Sequence, residues 1–341
     1  MKIGIVGYQG CGKSTLFRWL TELEADPSLS HTTQSAMAEV PDARLAQLCE
    51  IYQPKKVTLA SLELVDTPGL DAAHEGNAAR LSLIREAGCL IHVVDAFSGA
   101  DPLATLASFD EDLLFADMEL VARRIEKLRE SVKKPRPTRE QEQTELAALE
   151  PLLETLESGT PLAEVEMTDE QIKATRSFQL LTEKPRLVLL NLSDDDSPQR
   201  WLEQMASDVE AVAIPAGLAV ELDRMDEADR RDFEAELDSP IIDRGDLLRM
   251  IMTVSGQMLF FTAGDKEVRT WMIRTGGTAV EAADGIHTDL ARGFVRAETM
   301  QCDDLFRLGS EREVKAANLM RREPKDYVIQ NGDILHILSN A

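Results

Sequence analysis

Residues 7–15 read Gly7-Tyr8-Gln9-Gly10-Cys11-Gly12-Lys13-Ser14-Thr15, and this stretch decides the fold. It matches G-x-x-x-x-G-K-[ST], the pattern of a phosphate-binding loop. The loop follows a short apolar run, Ile3–Val6, and precedes an amphipathic stretch, Thr15–Glu24, which is the strand, loop and helix context that the pattern requires. We therefore expect an α/β nucleotide-binding domain with a mostly parallel sheet.

The residue types in this loop fit the binding of a polyphosphate. Glycines allow the chain to turn tightly, so that backbone N–H groups and the N-terminus of the next helix point at the phosphates. Lys13 is expected to neutralise β- and γ-phosphate oxygens, and the Ser14 hydroxyl to ligate Mg²⁺. The predicted nucleotide contacts from this loop are Gly7, Gln9, Gly10, Cys11, Gly12, Lys13, Ser14 and Thr15.

A second motif, Asp66-Thr67-Pro68-Gly69, directly follows the apolar run Leu62–Val65. At the carboxyl end of a neighbouring strand, Asp66 would reach the metal through water and the Gly69 N–H would sense the γ-phosphate. Lys13, Asp66 and Gly69 are thus the predicted catalytic residues. Leu70 stands where many GTPases carry a water-orienting glutamine, which predicts slow intrinsic turnover or another way of positioning water.

The base of the nucleotide is expected to meet Asn191-Leu192-Ser193-Asp194, which ends the apolar run Leu187–Leu190. Small GTPases carry N-K-x-D at this place to read guanine. Asp194 could accept from guanine, but the lysine is missing, and a plain strand-end turn is an alternative interpretation. Ala216 and Gly217, in the segment Ile214–Leu218, would supply the last nucleotide-binding loop.

A threonine and a histidine lie in the segments expected to respond to nucleotide. Thr32 or Thr33 is predicted to be the threonine that senses Mg²⁺, and Ser14, Asp66 and Thr33 are the predicted metal ligands. His74 could orient water, although a lone histidine in a loop is more often simply solvated.

The pattern of apolar residues predicts a sheet domain that is interrupted by a helical insertion. Ile3–Val6, Leu62–Val65, Leu90–Val94 and Leu187–Leu190 are separated by helical stretches, as in a βαβ sheet. Between the last two runs, a heptad-like repeat predicts a coiled-coil helical hairpin that turns at Pro135 and Pro137. Its seam is predicted to contain Leu114, Met118, Val121, Ile125, Leu128 and Val132 in the first arm, and Leu146, Leu149, Leu153 and Leu156 in the second. The hairpin is either a structural appendage or a partner-binding element.

From about residue 257 the sequence changes to short β-rich runs separated by glycine-containing turns, which predicts a small α+β domain. The runs are Met258–Thr262, Val268–Ile273, Gly293–Ala297, Tyr327–Gln330 and Ile334–Leu338, with a predicted hairpin turn at Asn331-Gly332-Asp333. The predicted domains are therefore 1–108 with 184–256, the helical insertion 109–183, and 257–341.

Composition limits the partners and the location. The formal charge is -24, which excludes a general nucleic-acid binder, but residues 257–341 carry 11 Lys+Arg against 13 Asp+Glu, a net of 11 − 13 = -2. Contact with RNA would thus involve the C-terminal part. The four cysteines show no metal-binding spacing, and the chain contains no apolar run that would span a membrane, so we expect a cytoplasmic protein.

The sequence resembles the YchF/Obg-like ATPase family over nearly its whole length. Beyond the phosphate-binding loop, the resemblance is carried by these stretches, in chain order: Val40–Leu45, Pro54–Val57, Glu63–Asp66, Ile84–Glu86, His92–Val94, Phe261–Arg269, Ile286–Asp289, Gly293–Ala297, Lys325–Tyr327 and Gly332–Asp333. The resemblance implies a coiled-coil insertion, a C-terminal TGS-type β-grasp domain, ATP in preference to GTP, and association with ribosomes.

The chain departs from that family in four places. Asp194 replaces the usual glutamate, which leaves guanine binding open, and residues 9–12 replace Pro-Asn-Val-Gly. The second switch, Leu70–Asn77, is short, and the loop Ala96–Phe109 is shortened and lacks the histidine that the family carries there. We predict a Mg²⁺-dependent, ATP-preferring nucleotide switch that binds the ribosome or another ribonucleoprotein and no membrane. The alternatives are a GTP-specific GTPase and a scaffold that holds nucleotide without hydrolysing it.

Overall fold

The computed structural model describes residues 1–23, 33–74, 76–207, 209–237 and 241–340. In chain order the strands are β1 (Lys2–Val6), β2 (Gln34–Glu39), β3 (Lys56–Thr58), β4 (Ser61–Asp66), β5 (Cys89–Ala96), β6 (Arg186–Leu192), β7 (Ala211–Ile214), β8 (Gln257–Ala263), β9 (Glu267–Arg274), β10 (Phe294–Gln301), β11 (Arg321–Glu323) and β12 (Asp333–Ser339). The helices are α1 (Lys13–Thr21), α2 (Arg44–Tyr52), α3 (Asn77–Ile84), α4 (Pro102–Ser131), α5 (Arg139–Glu157), α6 (Asp169–Thr175), α7 (Pro198–Leu202), α8 (Ala216–Leu222), α9 (Glu227–Glu236), α10 (Arg244–Val254), α11 (Ala279–Ile286), α12 (Thr288–Arg292), α13 (Cys302–Leu308) and α14 (Glu311–Ala316).

Contacts between residues divide the chain into two compact units. The first contains Met1–Ala36 and Glu63–Ile242, and the second contains Met37–Leu62 and Asp243–Ala341. The division differs from the predicted segments, because residues 37–62 and 243–256 group with the C-terminal strands. Pairing of β3 with β9, a long-range contact with no local sequence signal, accounts for part of that difference. No helix in the described part of the chain is long and apolar enough to cross a bilayer.

The first sheet has the strand order β2-β4-β1-β5-β6-β7. The pairs β1·β4, β1·β5, β5·β6 and β6·β7 are all parallel, which confirms the predicted mostly parallel α/β fold. Because parallel strands end at a common edge, the register brings the phosphate-binding loop after β1, Asp66 of β4 and Asn191 of β6 to the same side of the sheet.

Helices α4 and α5 form the predicted helical pair. Val121, Ile125 and Leu128 of the first arm are buried against Leu149 and Leu156 of the second. In the second arm Leu152 is more deeply buried than the predicted Leu153.

The first arm also begins earlier than the sequence analysis expected. The segment Ala96–Phe109 is not one loop, because Pro102 starts α4 and the Asp101 carboxylate accepts hydrogen bonds from the N–H groups of Leu103 and Ala104. An aspartate cap followed by proline at the first helical position is a strong helix start.

A buried carboxylate connects α4 to the segments that follow α3 and precede β6. Asp117 of α4 is fully buried and accepts hydrogen bonds from the backbone N–H and the hydroxyl of Thr182, at 2.8 and 2.9 Å. Arg85, which follows α3, donates to its other oxygen at 2.6 Å. The three partners satisfy a charge that would otherwise be very costly to bury.

The second unit contains a mixed sheet with the strand order β11-β10-β12-β8-β9-β3. One face packs Phe261, Val268 and Met300 against helices α2, α13 and α14, and the other packs Phe260 and Ala297 against α11. The prediction that Tyr327–Gln330 is a strand was wrong, because Val328 forms only an isolated bridge and β11 lies earlier in the chain. The chain turns before β12 as expected, with Gly332 at φ +90°, but the turn forms no hairpin, because the run before it is not a strand.

Candidate functional site

The phosphate-binding loop has the backbone conformation that its glycines permit. Gly7, Gly10 and Gly12 have φ values of +143°, +82° and +100°, a region that residues with a Cβ rarely adopt. A Cβ on Gly12 would lie 2.2 Å from the side-chain nitrogen of Asn191. The glycines are therefore needed both for the turn and for close packing.

The Lys13 side chain folds back onto the loop that precedes it. Its side chain is buried, and Nζ donates to the backbone oxygen of Tyr8 at 2.6 Å and lies 3.7 Å from Cys11 Sγ. Burial raises the pKa of the Cys11 thiol, so it is a neutral neighbour of the ammonium. Lys13 supplies a cation where phosphate would lie, and α1 begins at this residue.

Gly69 touches both the lysine and the loop. A Cβ at Gly69 would be 2.7 Å from Lys13 Nζ and 2.8 Å from the backbone nitrogen of Gln9. The predicted trio of Lys13, Asp66 and Gly69 is thus brought together at one edge of the sheet, although the three residues come from two separate motifs.

Ser14 and Asp66 form the part of the site suited to a metal. Ser14 Oγ donates to Asp66 Oδ2 at 2.7 Å, and Asp66 Oδ1 is buried without a hydrogen-bond partner among the described residues. Burial raises the pKa of Asp66, while the Ser14 hydrogen bond and the charge of Lys13 oppose that shift.

A hydroxyl beside an unsatisfied buried carboxylate oxygen fits a hard cation such as Mg²⁺. In the described ranges, His, Cys, Asp and Glu nowhere gather in groups of three or more that could hold a metal. Mg²⁺ usually keeps waters and phosphate oxygens as ligands, so a site with few protein ligands suits it. Thr33, the third predicted ligand, is exposed just before β2, and Thr32 lies outside the described residues.

Asn191 connects three loops of the candidate base-binding region. Its Nδ2 donates to the backbone oxygen of Cys11 at 3.0 Å, and its Oδ1 accepts from the N–H of Ala216 at 3.1 Å. Asn191 and Leu192 belong to β6 itself, so the strand ends two residues later than Leu190, where the sequence analysis ended it. Leu192 is 3% exposed and points into the core, whereas Asp194 is exposed.

The last predicted base-binding residues lie at the start of α8. Ala216 is fully buried, and Gly217 is exposed with open space around its Cα. The phosphate-binding loop, Asn191 and α8 therefore form one connected wall, and the exposed Asp194 follows two residues after the end of β6.

Leu70, the residue after Gly69, faces the core and has no polar side-chain group. The residue is fully buried with Val6, Phe109 and Leu113. Its backbone accepts from the Gln9 N–H and donates to the Gly7 carbonyl oxygen, both at 3.0 Å. A glutamine at this position would thus face the core as well, so the position itself is unsuited to binding water.

Sequence reasoning missed a hydrogen-bonded group that joins three elements. Asp112 of α4 accepts from Tyr8 Oη at 3.0 Å through Oδ2, and its Oδ1 lies 2.9 Å from His74 Nδ1. His74 is in the left-handed region, with φ +64°. Nothing in the local sequence around Asp112 distinguishes it from the other acidic residues of α4.

A second missed residue is His92 of β5. Its ring is fully buried, neither nitrogen has a hydrogen-bond partner among the described residues, and it stacks on Phe109 with 3.9 Å between ring centroids. Burial, with the nearby charges of Arg186 and Lys13, lowers the pKa of His92 well below its ordinary value. The histidine is therefore neutral and belongs to the core behind the phosphate-binding loop.

Comparison with known families agrees with this geometry. Residues 2–128 match the family MMR_HSR1, described as "50S ribosome-binding GTPase". Residues 258–340 match YchF-GTPase_C, described as "Protein of unknown function (DUF933)". The two matches cover the sheet edge with the phosphate-binding loop and the C-terminal strands.

Full-length relatives are similar to the chain from end to end. The chain is 33% identical over 365 residues to "Ribosome-binding ATPase YchF" of Bacillus subtilis, with 99% of each chain covered. It is 35% identical over 372 residues to "Obg-like ATPase 1" of Oryza sativa subsp. japonica, covering all of this chain and 92% of that one. Among solved structures, the Schizosaccharomyces pombe YchF GTPase superposes with a TM-score of 0.86 at 27% identity, over 99% of this chain and 97% of that chain.

Proposed function

The chain belongs to the family of YchF and Obg-like ATPases, and we propose that it is a Mg²⁺-dependent nucleoside triphosphatase that prefers ATP and works as a nucleotide switch. The observation that carries this proposal is the meeting of two pairs at one sheet edge: Ser14 donates to Asp66 at 2.7 Å, and a Cβ on Gly69 would lie 2.7 Å from Lys13 Nζ. That arrangement offers a cation, a metal site and a phosphate sensor to the same ligand.

The chain's own residues would bind the triphosphate in a defined way. Backbone N–H groups around Gly10 and the start of α1 face the phosphates, and Lys13 neutralises the β- and γ-oxygens. Ser14 and Asp66 would hold Mg²⁺, which when bound offsets the negative charge that develops on the phosphates. Movement of the Gly69 N–H towards the γ-phosphate would then order the segment after it, and loss of the phosphate would release it.

The preference for ATP rests on the family and on the base-binding wall. Leu192 occupies the place of the lysine that packs along guanine in N-K-x-D, and its side chain is buried. Asp194, however, is exposed and free to accept from the N1–H and amino group of guanine, which favours a GTP-specific GTPase as the second candidate.

Titration of nucleotide-free protein with ADP and with GDP tests the choice of base. We expect tighter binding of ADP, and little change in the ADP affinity of Asp194→Ala, with Asp195→Ala as an exposed neighbouring control. A GDP preference that disappears in Asp194→Ala would overturn the adenine proposal and support the GTPase.

The proposed partner is the ribosome or another ribonucleoprotein, reached in the cytoplasm. Support comes from the relatives that are named ribosome-binding ATPases and from the near-neutral C-terminal part, whose net charge of 11 − 13 = -2 repels phosphate far less than the rest of the chain. Co-sedimentation of the full chain with ribosomes, with a non-hydrolysable triphosphate or with diphosphate, tests the switch. Equal binding in both states would contradict it.

A scaffold that holds nucleotide without hydrolysing it is the third candidate, favoured by the burial of Leu70. Phosphate release measured with and without ribosomes separates it from the enzyme. We expect slow release that ribosomes accelerate, and the scaffold would be supported if no phosphate appeared in either case.

A further inference from the structure

We propose that the Gln9 side chain orients the attacking water during hydrolysis, in place of the residue that follows Gly69 in many GTPases. The inference rests on the proposed function, because it requires that a nucleoside triphosphate is hydrolysed at this site. It assigns a catalytic role to a side chain whose backbone alone was expected to contact phosphate.

The usual position for this role is closed. Leu70 is fully buried in the cluster behind the phosphate-binding loop, and both of its backbone polar groups are paired with that loop. Rotating an aliphatic side chain out of such a core would expose it and leave a void, and it would still provide no hydrogen-bonding group.

The neighbouring polar side chains are already engaged. Thr67 Oγ1 is buried and donates to the carbonyl oxygen of Ile5 at 2.7 Å. Asn77 bonds through both of its side-chain atoms to the backbone of Asp71. His74 is paired with Asp112 on α4. These bonds fix Thr67 and Asn77 against the backbone, and the Nδ1 side of His74 faces α4.

Gln9 starts from the right place. The backbone nitrogen and Cα of Gln9 would lie 2.8 and 2.9 Å from a Cβ on Gly69, and Lys13 Nζ would lie 2.7 Å from the same point. The backbone of Gln9 therefore lies beside the two groups that would contact the γ-phosphate. Because its N–H donates to the Leu70 carbonyl oxygen at 3.0 Å, the position of Gln9 against this segment is fixed.

The side chain of Gln9 is exposed, and across the part of the chain that the structure describes it makes no hydrogen bond. A glutamine side chain carries one acceptor oxygen and two N–H donors. It can accept from the water through Oε1 while Nε2 donates to a γ-phosphate oxygen.

The chemistry balances without proton transfer to this residue. A bond forms between the water oxygen and the γ-phosphorus as the bond from that phosphorus to the β–γ bridging oxygen breaks. The leaving diphosphate takes the electron pair of the broken bond, and the proton of the water goes to the phosphate product. A carboxamide does not accept this proton near neutral pH. Gln9 would therefore orient the water and would not act as a general base.

Steady-state and binding measurements on Gln9→Ala and Gln9→Asn test the proposal, with Gln143→Ala, an exposed glutamine of α5, as the matched control. We expect kcat to fall about 10- to 100-fold in Gln9→Ala with KM nearly unchanged, because a misplaced reactant costs about that much. Gln9→Asn, whose carboxamide is one methylene too short, should show a similar loss, and Gln143→Ala should match the unmodified chain.

A second readout does not depend on turnover. Nucleoside diphosphate with aluminium fluoride mimics the transferring phosphoryl group, and its binding should weaken in Gln9→Ala while binding of the diphosphate alone stays the same. Unchanged kcat and unchanged aluminium fluoride binding in Gln9→Ala would overturn the role of Gln9. If the unmodified chain itself hydrolysed no triphosphate, with or without ribosomes, the proposed function would fail first, and the two failures are therefore distinguishable.

Discussion

Tyr8 of the phosphate-binding loop donates a hydrogen bond of 3.0 Å to Asp112 of α4, a residue 104 positions away in the sequence. The other oxygen of Asp112 lies 2.9 Å from His74, in the segment that follows Gly69. One carboxylate thus ties the loop that would bind phosphate, the segment that would sense it, and the first helix of the helical pair. If nucleotide moved the loop or the segment after Gly69, as proposed, these contacts would pass the movement to that helix.

Replacing Tyr8 with phenylalanine should weaken this connection without disturbing the fold. Burial and the Asp112 hydrogen bond both raise the pKa of the Tyr8 hydroxyl, so it remains a donor at any working pH. We expect Tyr8→Phe to lower the free energy of unfolding by about 1 kcal/mol, the net value of such a bond. Urea unfolding of Tyr8→Phe, His74→Ala and the double variant measures the coupling. Strict additivity would show that the two residues do not share Asp112.

Removing the partner of Asp117 should be much more damaging. Arg85 donates to the fully buried Asp117 carboxylate at 2.6 Å, and its side chain is itself only 16% exposed. We expect Arg85→Met to destabilise the protein by about 3–5 kcal/mol, because it leaves a buried charge without its counter-ion. Arg129→Met, which removes an exposed ion pair with Glu150, is the control and should cost about 0–1 kcal/mol. Similar losses for the two variants in denaturant unfolding would contradict this account.

His92 should make stability depend on pH below neutrality. Its pKa in the folded state is lowered, chiefly by burial, so protons bind more tightly to the unfolded chain. The stability that comes from keeping it neutral is fully present above its unfolded pKa of 6.5 and is lost as pH falls below that value. Between pH 6.5 and 5 we expect the free energy of unfolding to fall by at most about 1.4 kcal/mol per pH unit from this group. His92→Leu should reduce that slope, and an unchanged slope would show that the ring is solvated in the folded protein.

Glu281 should add a second loss of stability with falling pH, in a more acidic range than that of His92. It accepts from the backbone N–H and hydroxyl of Thr278 at the start of α11 and pairs with Arg274, which lowers its pKa from 4.5 to about 2. A lowered pKa means that its stabilisation is present above 4.5 and is lost as pH falls from 4.5 to 2. Glu281→Gln keeps the capping geometry but cannot titrate. Its melting temperature, measured over that range, should therefore vary less with pH than that of the unmodified chain. Parallel melting curves would argue against the assignment.

Asp66 should control how strongly magnesium supports nucleotide binding. Its unsatisfied Oδ1 and the Ser14 hydroxyl that donates to Oδ2 are the groups proposed to hold the ion. We expect Asp66→Asn to weaken magnesium affinity about 10- to 100-fold, as loss of a water-mediated ligand does. Titration with a fluorescent triphosphate in magnesium and in chelator measures this, and Asp232→Asn, an exposed position on α9, is the control. Equal gains from magnesium in Asp66→Asn and in the unmodified chain would remove Asp66 from the metal site.

Several features of this protein could be predicted because they depend on local sequence. Glycines at positions that need positive φ, a strand of four buried residues before them and a lysine at the helix start predict the phosphate-binding loop. The motif Asp66–Gly69 at the end of β4 and the heptad-like seam of α4 and α5 could also be predicted, since both follow from the spacing of apolar residues. At Tyr327–Gln330 the local pattern suited a strand, but in the fold Val328 forms only an isolated bridge with Thr278.

The class of fold and the residues that stand at the sheet edge could be predicted from the sequence, because strand periodicity and glycine conformation are properties of a few neighbouring residues. Folding of the whole chain was needed to bring Asn191 to Cys11, 180 residues earlier, to pair Asp112 with both Tyr8 and His74, and to place β3 in the second sheet. These contacts depend on which distant segments pack together. The packing of distant segments is set by the free energy of the whole chain. The residues around each contact therefore do not predict its partner.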